Sequence, residues 1–204
     1  MAETTQREQQ AQERREQIIE TALKLFATHG YDGTSTRKIA QAAGITEGLI
    51  FHYFPTKAHL LAAVLETRHS FLSDLRDLLD QAEGRPAAAV LPEIALDWLD
   101  TLRRERAFTT VLLTTAQIDP QVNAALHTQI GEGVGRMAVY LRSRVEAGEL
   151  RADLPLEHTA LLFYSGVLVF FLMNHQRDDW QTAAESYVRS LVDMWLHGAA
   201  DTHP

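Results

Sequence analysis

Apolar positions recur along this chain at helical spacing, and nowhere do they alternate as a half-buried strand requires. Ile18, Ile19, Ala22, Leu23 and Phe26 form one stripe, and Gly30 stops that helix. Thr34 and Ser35 are good N-caps for a short second helix through Ala43, with Ile39 and Ala40 turned inward. Gly44 breaks the chain. Thr46 caps a third short helix through Phe54, and Pro55 ends it, because the residue before proline avoids the helical region. Thr56 caps a long fourth helix to about Glu83, whose apolar face holds Leu60, Leu61, Val64, Leu65, Phe71, Leu72, Leu75 and Leu78. Gly84 and Pro86 interrupt the pattern. Further helices are predicted near 87–104, 107–117, 120–147, 155–175 and 179–197. Asp119 before Pro120 is a start signal, a cap followed by proline at the first helical position. The fold class is all-α: a three-helix N-terminal head, a long connecting helix and a larger helical body.

Composition changes this picture in three ways. The 204 residues allow one or two domains, and 46% hydrophobic content excludes wholesale disorder. The absence of cysteine excludes a disulfide scaffold, a zinc–thiolate site and a cysteine nucleophile. No unbroken apolar run reaches the ~18 residues that span a bilayer, and the polar start lacks the apolar core of a secretory signal. A cytoplasmic protein with no membrane partner is the expectation. No His-x-x-x-His pair and no nucleophile-elbow serine occurs, so neither a metal site, a cofactor nor an enzyme is expected. Gly131, Gly133 and Gly135 form a glycine-rich stretch with no preceding strand and no following Lys-Ser or Lys-Thr, so it is not a phosphate loop. Glycine weakens a helix interior by ~1 kcal/mol, and a break or mobile segment is expected there.

The formal charge is −8, from 19 cations and 27 anions. At first sight this opposes nucleic-acid binding, which needs a positive face. The charge is not evenly spread. Seven cations balance seven anions over residues 1–57, all three lysines (Lys24, Lys38 and Lys57) lie there, and the whole deficit falls in residues 58–204. Acidity therefore leaves room for a narrow face that meets phosphate.

Gly30 to Lys57 carries the candidate chemistry. Two short helices joined by a tight turn at Gly44 make a helix-turn-helix pattern, in which one helix enters the major groove and the other braces it. Gly30-Tyr31, the run Thr34-Ser35-Thr36-Arg37-Lys38-Ile39-Ala40, Ala43-Gly44-Ile45-Thr46, Gly48, and the run from Ile50 to Lys57 stand at specific spacing, continued by Leu60 and Leu61. In these positions the chain resembles the TetR (tetracycline-repressor-like) family of bacterial transcription regulators. The Gly148-Glu149-Leu150-Arg151 turn and the last helix also look like this family.

The resemblance implies roles. Residues 1–57, with a flexible arm over about 1–13, would bind double-stranded operator DNA. Residues 58–204 would form a ligand-binding and dimerisation domain. Thr34, Ser35 and Thr36 would hold phosphate, Arg37 would read a guanine edge, and Lys38 would contact phosphate. Thr46, Glu47, Gly48 and Leu49 would begin the recognition helix, and Phe51, His52 and Tyr53 would continue its face. Lys57 would clamp phosphate. Thr34 and Thr46 are also caps, Phe51 lacks the hydroxyl of the tyrosine common at its position, and Glu47 either accepts from a cytosine amine or points away. Arg14 and Arg15 belong to an arm reaching DNA or to a solvated helix extension.

For the body the resemblance implies a largely apolar small-molecule effector. Trp98, Phe108, Gln117, Met137, Tyr140, Phe163, Phe170 and Asn174 are the pocket candidates, with plain core as the rival reading of each apolar member. Leu162, Gly166 and Val169 lie in one apolar band, and Tyr187, Leu191, Met194 and Trp195 in another. They serve either the monomer's core or a four-helix homodimer interface, which two half-sites one turn apart would require. The function expected is a ligand-released repressor acting on a palindromic operator. The alternative is a ligand-independent architectural protein or activator.

Overall fold

The computed structural model describes residues 2–67 and 70–199. Among the described residues there are ten helices and no strand: α1 (Ala2–His29), α2 (Thr36–Ala43), α3 (Glu47–Tyr53), α4 (Lys57–Thr67), α5 (Ser70–Asp80), α6 (Ala87–Arg104), α7 (Arg106–Ala116), α8 (Pro120–Glu146), α9 (Leu156–Asn174) and α10 (Trp180–Ala199). The all-α class follows from the periodicity, and helix ends fall within a residue or two of the predicted ones. Two departures are local. Residues 2–13, expected as a flexible arm, are the opening turns of α1. The predicted fourth helix corresponds to α4 and α5, and the stretch that would join them, residues 68–69, lies outside the described residues, as does the side chain of Phe71.

The chain divides into two compact units, Met1–His69 with Glu105–Gln129, and Ser70–Arg104 with Ile130–Pro204. The first unit is built on α1, whose Ile18, Ile19, Ala22 and Phe26 are buried against Ile39, Ile50, Leu60, Leu61, Val64, Phe108 and Leu112. Burying one such side chain stabilises by about 1.5–3 kcal/mol. Packing therefore draws α4, α7 and the opening of α8 into the unit that holds the short helices. The packing boundary does not fall after Lys57, where the sequence reading divides the chain.

The second unit is centred on Leu75, Leu91, Ile94, Met137, Leu141, Phe163, Val167, Phe171, Trp180 and Val188, all buried. Glu149 closes one end of it: its carboxylate accepts the Ala87 N–H at 2.6 Å and so caps α6. Arg144, almost fully buried, donates to Arg85 O at 2.8 Å. The helix α8 runs unbroken through Gly131, Gly133 and Gly135, so the expected break is absent.

The helix α9 reaches the length and mean hydropathy (1.6) of a membrane span, although the sequence contains no unbroken apolar run of that size. The reason is that two faces are apolar. Phe163, Val167 and Phe171 enter the core, while Leu162, Val169, Leu172 and Met173 are exposed.

Candidate functional site

The helix-turn-helix is held by its turn and its caps. Gly44 adopts φ 67°, ψ 34°, the left-handed region that glycine enters without Cβ strain, and ends α2. The Ile45 N–H then bonds Ala40 O at 3.0 Å. The Ser35 hydroxyl accepts the Lys38 N–H, and the Thr46 hydroxyl accepts the Leu49 N–H, so Ser35 caps α2 and Thr46 caps α3. Behind them Ile39 and Ile50 are buried and fix the crossing of the two helices. Gln17 of α1 donates to Ala43 O at 3.1 Å and ties the end of α2 from the far side.

Hydrogen-bond donors decide which of the expected contacts can hold phosphate, because phosphate offers only acceptors. A serine or threonine has one O–H. Ser35 and Thr46 are exposed and accept at their caps, which leaves each O–H to donate outward. Thr34 does not qualify. It is fully buried and its hydroxyl donates to Leu25 O at 3.1 Å, so its part is to close the end of α1. Thr36 has also spent its donor, on Glu47 Oε1 at 2.5 Å. Glu47 therefore does not float free; it is clipped to the first residue of α2.

The cations sort in the same way. Arg37 is exposed at the start of α2. Lys38 is exposed and gives one of its three donors to Gly33 O at 2.9 Å. Lys57 is half-buried. Its ammonium donates to Tyr31 O at 2.9 Å and Thr34 O at 3.2 Å and lies 3.9 Å from the centre of the Tyr31 ring. Burial pushes its pKa below the ordinary lysine value, and Asp32 partly offsets this. Burial, then Asp119 and Asp32, raise the Tyr31 phenol. Lys57 is thus a strut between α4 and the α1–α2 loop, with two of its three donors engaged and one left for phosphate.

On α3, Gly48 and His52 are exposed, Leu49 and Tyr53 are half-buried, and Phe51 is 45% exposed, which excludes it from the core. His52 meets Tyr53 edge-on, with ring centres 5.3 Å apart. A Cβ on Gly48 would meet nothing within 4 Å, so the fold itself does not require glycine there. Arg14 donates to Gln17, and Arg15 lies over the Phe54 ring at 5.3 Å; both are parts of α1.

The expected effector residues are not gathered around one space. Phe108 packs in the core of the first unit, because α7 folds there. Gln117 is exposed at the end of α7, so no buried amide needs a partner. Asn174 is satisfied by Phe170 O of its own helix at 3.0 Å. Met137, Phe163 and Phe170 are buried in the second core, and Trp98 stands edge-on to Tyr164 at 5.0 Å. Tyr140 lines a cleft, a space of about 680 Å³ between α5 and α8. Arg76, Asp80, Glu83, Arg136 and Arg144 share that lining, so charged groups edge a largely apolar wall. Sequence reasoning missed these arginines because residues on separate helices carry no mutual spacing signal. Burial pushes the Tyr140 phenol up to about 12. No cluster of three metal-ligating side chains occurs among the described residues.

The two apolar bands divide by exposure. Leu162 (70%), Val169 (57%) and Met194 (71%) are uncovered. Gly166, Tyr187, Leu191 and Trp195 are half-buried and serve the crossing of α9 and α10: the Tyr187 hydroxyl donates to Gly166 O at 2.8 Å, and Trp195 stands edge-on to Phe163.

Three comparisons with known proteins agree with this geometry. Residues 18–64 match the sequence model described as bacterial regulatory proteins, tetR family. The chain is 31% identical over 199 residues to the HTH-type transcriptional regulator AcrR of Shigella flexneri, covering 92% of each. It is 29% identical over 151 residues to the HTH-type transcriptional repressor AcnR of Corynebacterium glutamicum, covering 72% of this chain and 75% of that one. Among solved structures, Salmonella enterica GusR superposes with a TM-score of 0.71 at 21% identity, over 90% of this chain and 94% of that one. The regulator FadR of Bacillus subtilis, in complex with stearoyl-CoA, superposes with a TM-score of 0.69 at 17% identity, over 89% and 97%.

Proposed function

Because the chain belongs to the TetR family of bacterial regulatory proteins, we propose that it is a cytoplasmic, ligand-released repressor that grips a palindromic operator as a homodimer. Transcription regulation and helix-turn-helix DNA binding come with the family. The dimer, the operator contacts and the effector are the finer reading.

One observation carries it. The helix α3 is braced from behind by Ile39 and Ile50, while an outward set of donors and rings remains: Ser35, Arg37, Lys38, Thr46, Phe51 and His52. Arg37 is suited to a bidentate contact with guanine, and Ser35, Thr46 and Lys38 to phosphate. Gly48 and Leu49 begin the face that enters the groove, with Tyr53 at its half-buried edge. Leu162, Val169 and Met194 supply the uncovered apolar surface for a second copy. An effector bound within the second unit would lower DNA affinity by coupling between the two sites. The structural neighbour FadR was solved with stearoyl-CoA, so this fold accommodates a large ligand with a long acyl chain. The excess of acidic groups in residues 58–204 keeps non-specific binding weak at physiological salt.

A second reading, a ligand-independent DNA-binding protein, is favoured by the closed packing of Met137, Phe163 and Phe170. Footprinting on DNA flanking the protein's own gene, followed by a metabolite screen for release, separates the two. A symmetric footprint released by a metabolite supports the first; a footprint that no metabolite alters supports the second. Sedimentation of a Val169→Glu, Met194→Glu double variant tests the dimer. Monomers that no longer protect both half-sites are expected, and an unchanged dimer would remove this face from the interface.

A further inference from the structure

Thr36 opens α2 and Glu47 opens α3, and the turn brings these first residues together. The Thr36 hydroxyl donates to Glu47 Oε1 at 2.5 Å, a bond of half-buried groups across eleven positions. It spends the threonine's single donor and one carboxylate oxygen. The other oxygen, Oε2, keeps its acceptor sites.

A carboxylate at the edge of a polyanion ordinarily turns away into water. This one is held by a short charge-assisted bond to the bracing helix, in the first turn of the helix whose N-terminal residues address base edges. The four bases differ there in a way a fixed carboxylate can sense. Cytosine and adenine carry an amino donor on the major-groove edge, whereas guanine and thymine carry an oxygen acceptor. A held carboxylate accepts from the first two and repels the others. Cytosine is favoured over adenine, because adenine adds the N7 acceptor beside its amine.

We infer that Glu47, held by Thr36, selects a cytosine at one position of each operator half-site and rejects guanine and thymine there. Thr36 is a positioning residue that acts through Glu47. This inference rests on the reading of α3 as the recognition helix of a dimer.

The test is selection of bound duplexes from a randomised pool by the full-length protein, with Glu47→Gln, Thr36→Val and Thr36→Ser beside the parent chain. The parent is expected to enrich a symmetric pair of positions where cytosine leads and guanine and thymine are depleted by about 5- to 150-fold. Glutamine keeps an acceptor for Thr36 but pairs bidentately with adenine, so E47Q is expected to move those two positions from cytosine to adenine. T36V is expected to flatten the same positions while leaving the others, and the salt dependence of binding, unchanged. T36S, which restores the hydroxyl, is expected to restore the preference. If T36V fails to fold by circular dichroism, E47Q alone decides. Identical sequence preferences for E47Q and the parent, or a T36V variant that weakens all sequences equally, would overturn the inference and leave the link as a brace. No enrichment by the parent chain would overturn the proposed function and this inference with it.

Discussion

The two units hold their helices by different means. In the first, the short helices α2 and α3 are tied by polar links that reach across the sequence: Gln17 to Ala43, Thr34 to Leu25, Thr36 to Glu47, and Lys57 to Tyr31 and Thr34. In the second, long helices meet through rings, beside polar links such as Glu149 to Ala87 and Tyr187 to Gly166. Trp180 lies between Phe170 and Phe171, and Tyr187 stacks on Phe170 with centres 4.3 Å apart. The difference follows from length. A helix of seven or eight residues neither persists alone nor buries much apolar surface, so each directional bond that fixes it carries a large share of its stability. A helix of nineteen or twenty residues has a broad face to bury and needs fewer such bonds. In the first unit these bonds fall on the short helices themselves, which have little apolar surface to hold them otherwise.

Trp180→Ala strikes the second unit hardest. The indole is 1% exposed, and its loss is expected to cost about 3–5 kcal/mol by denaturant unfolding. A cost below about 1 kcal/mol would break the claim that aromatic packing carries this unit.

Gly33→Ala strikes the first unit. A Cβ there would stand 2.2 Å from the backbone oxygen of His29, which cannot swing aside. A cost of about 1–3 kcal/mol is expected, with DNA binding falling in step; an unchanged melting temperature would show that the α1–α2 loop yields.

Lys57→Met keeps the apolar stem and removes two hydrogen bonds and the ring contact. A loss of about 1–2 kcal/mol is expected, with no change in the log–log salt slope of DNA binding. A slope reduced by about 0.9 would assign its third donor to a phosphate contact.

A further effect is alkaline. Burial raises the Tyr140 phenol from 10.0 to about 12, so between these values the folded chain holds a proton that the unfolded chain releases. The stability present below pH 10 is then lost as the pH rises toward 12. Tyr140→Phe should flatten that decline in denaturant midpoints measured against pH; an equal decline in both proteins would assign it elsewhere. Tyr31 shifts the same way in the first unit, through burial, Asp119 and Asp32.

Much of the first unit was legible beforehand. Ser35 and Thr46 cap the helices they precede, Gly44 makes the turn, and Ile39 and Ile50 are buried, all as their spacing implies. What spacing could not tell was where a side chain spends its donors. Thr34, Ser35 and Thr36 are consecutive hydroxyls of equal chemistry. One is buried against α1, one caps, and one holds Glu47. Lys57 carries the same charge in either role, and only the nearness of Tyr31 turned it inward. The body was harder to read, because an apolar residue at helical spacing looks alike whether it faces a core, a cleft or a partner. Val167 and Val169 are two residues apart on one helix, the first buried and the second exposed.

The sequence alone determined the helical periodicity, the Ser35 and Thr46 caps, the turn at Gly44, the helix-turn-helix and the uneven charge, because these are properties of neighbours along the chain. The tertiary structure decided that Phe108 and α7 join the first unit, that Lys57 braces the head, and that Glu47 is held by Thr36. Those depend on which distant groups meet, and a hydrogen bond or a buried ring has no value until its partner arrives.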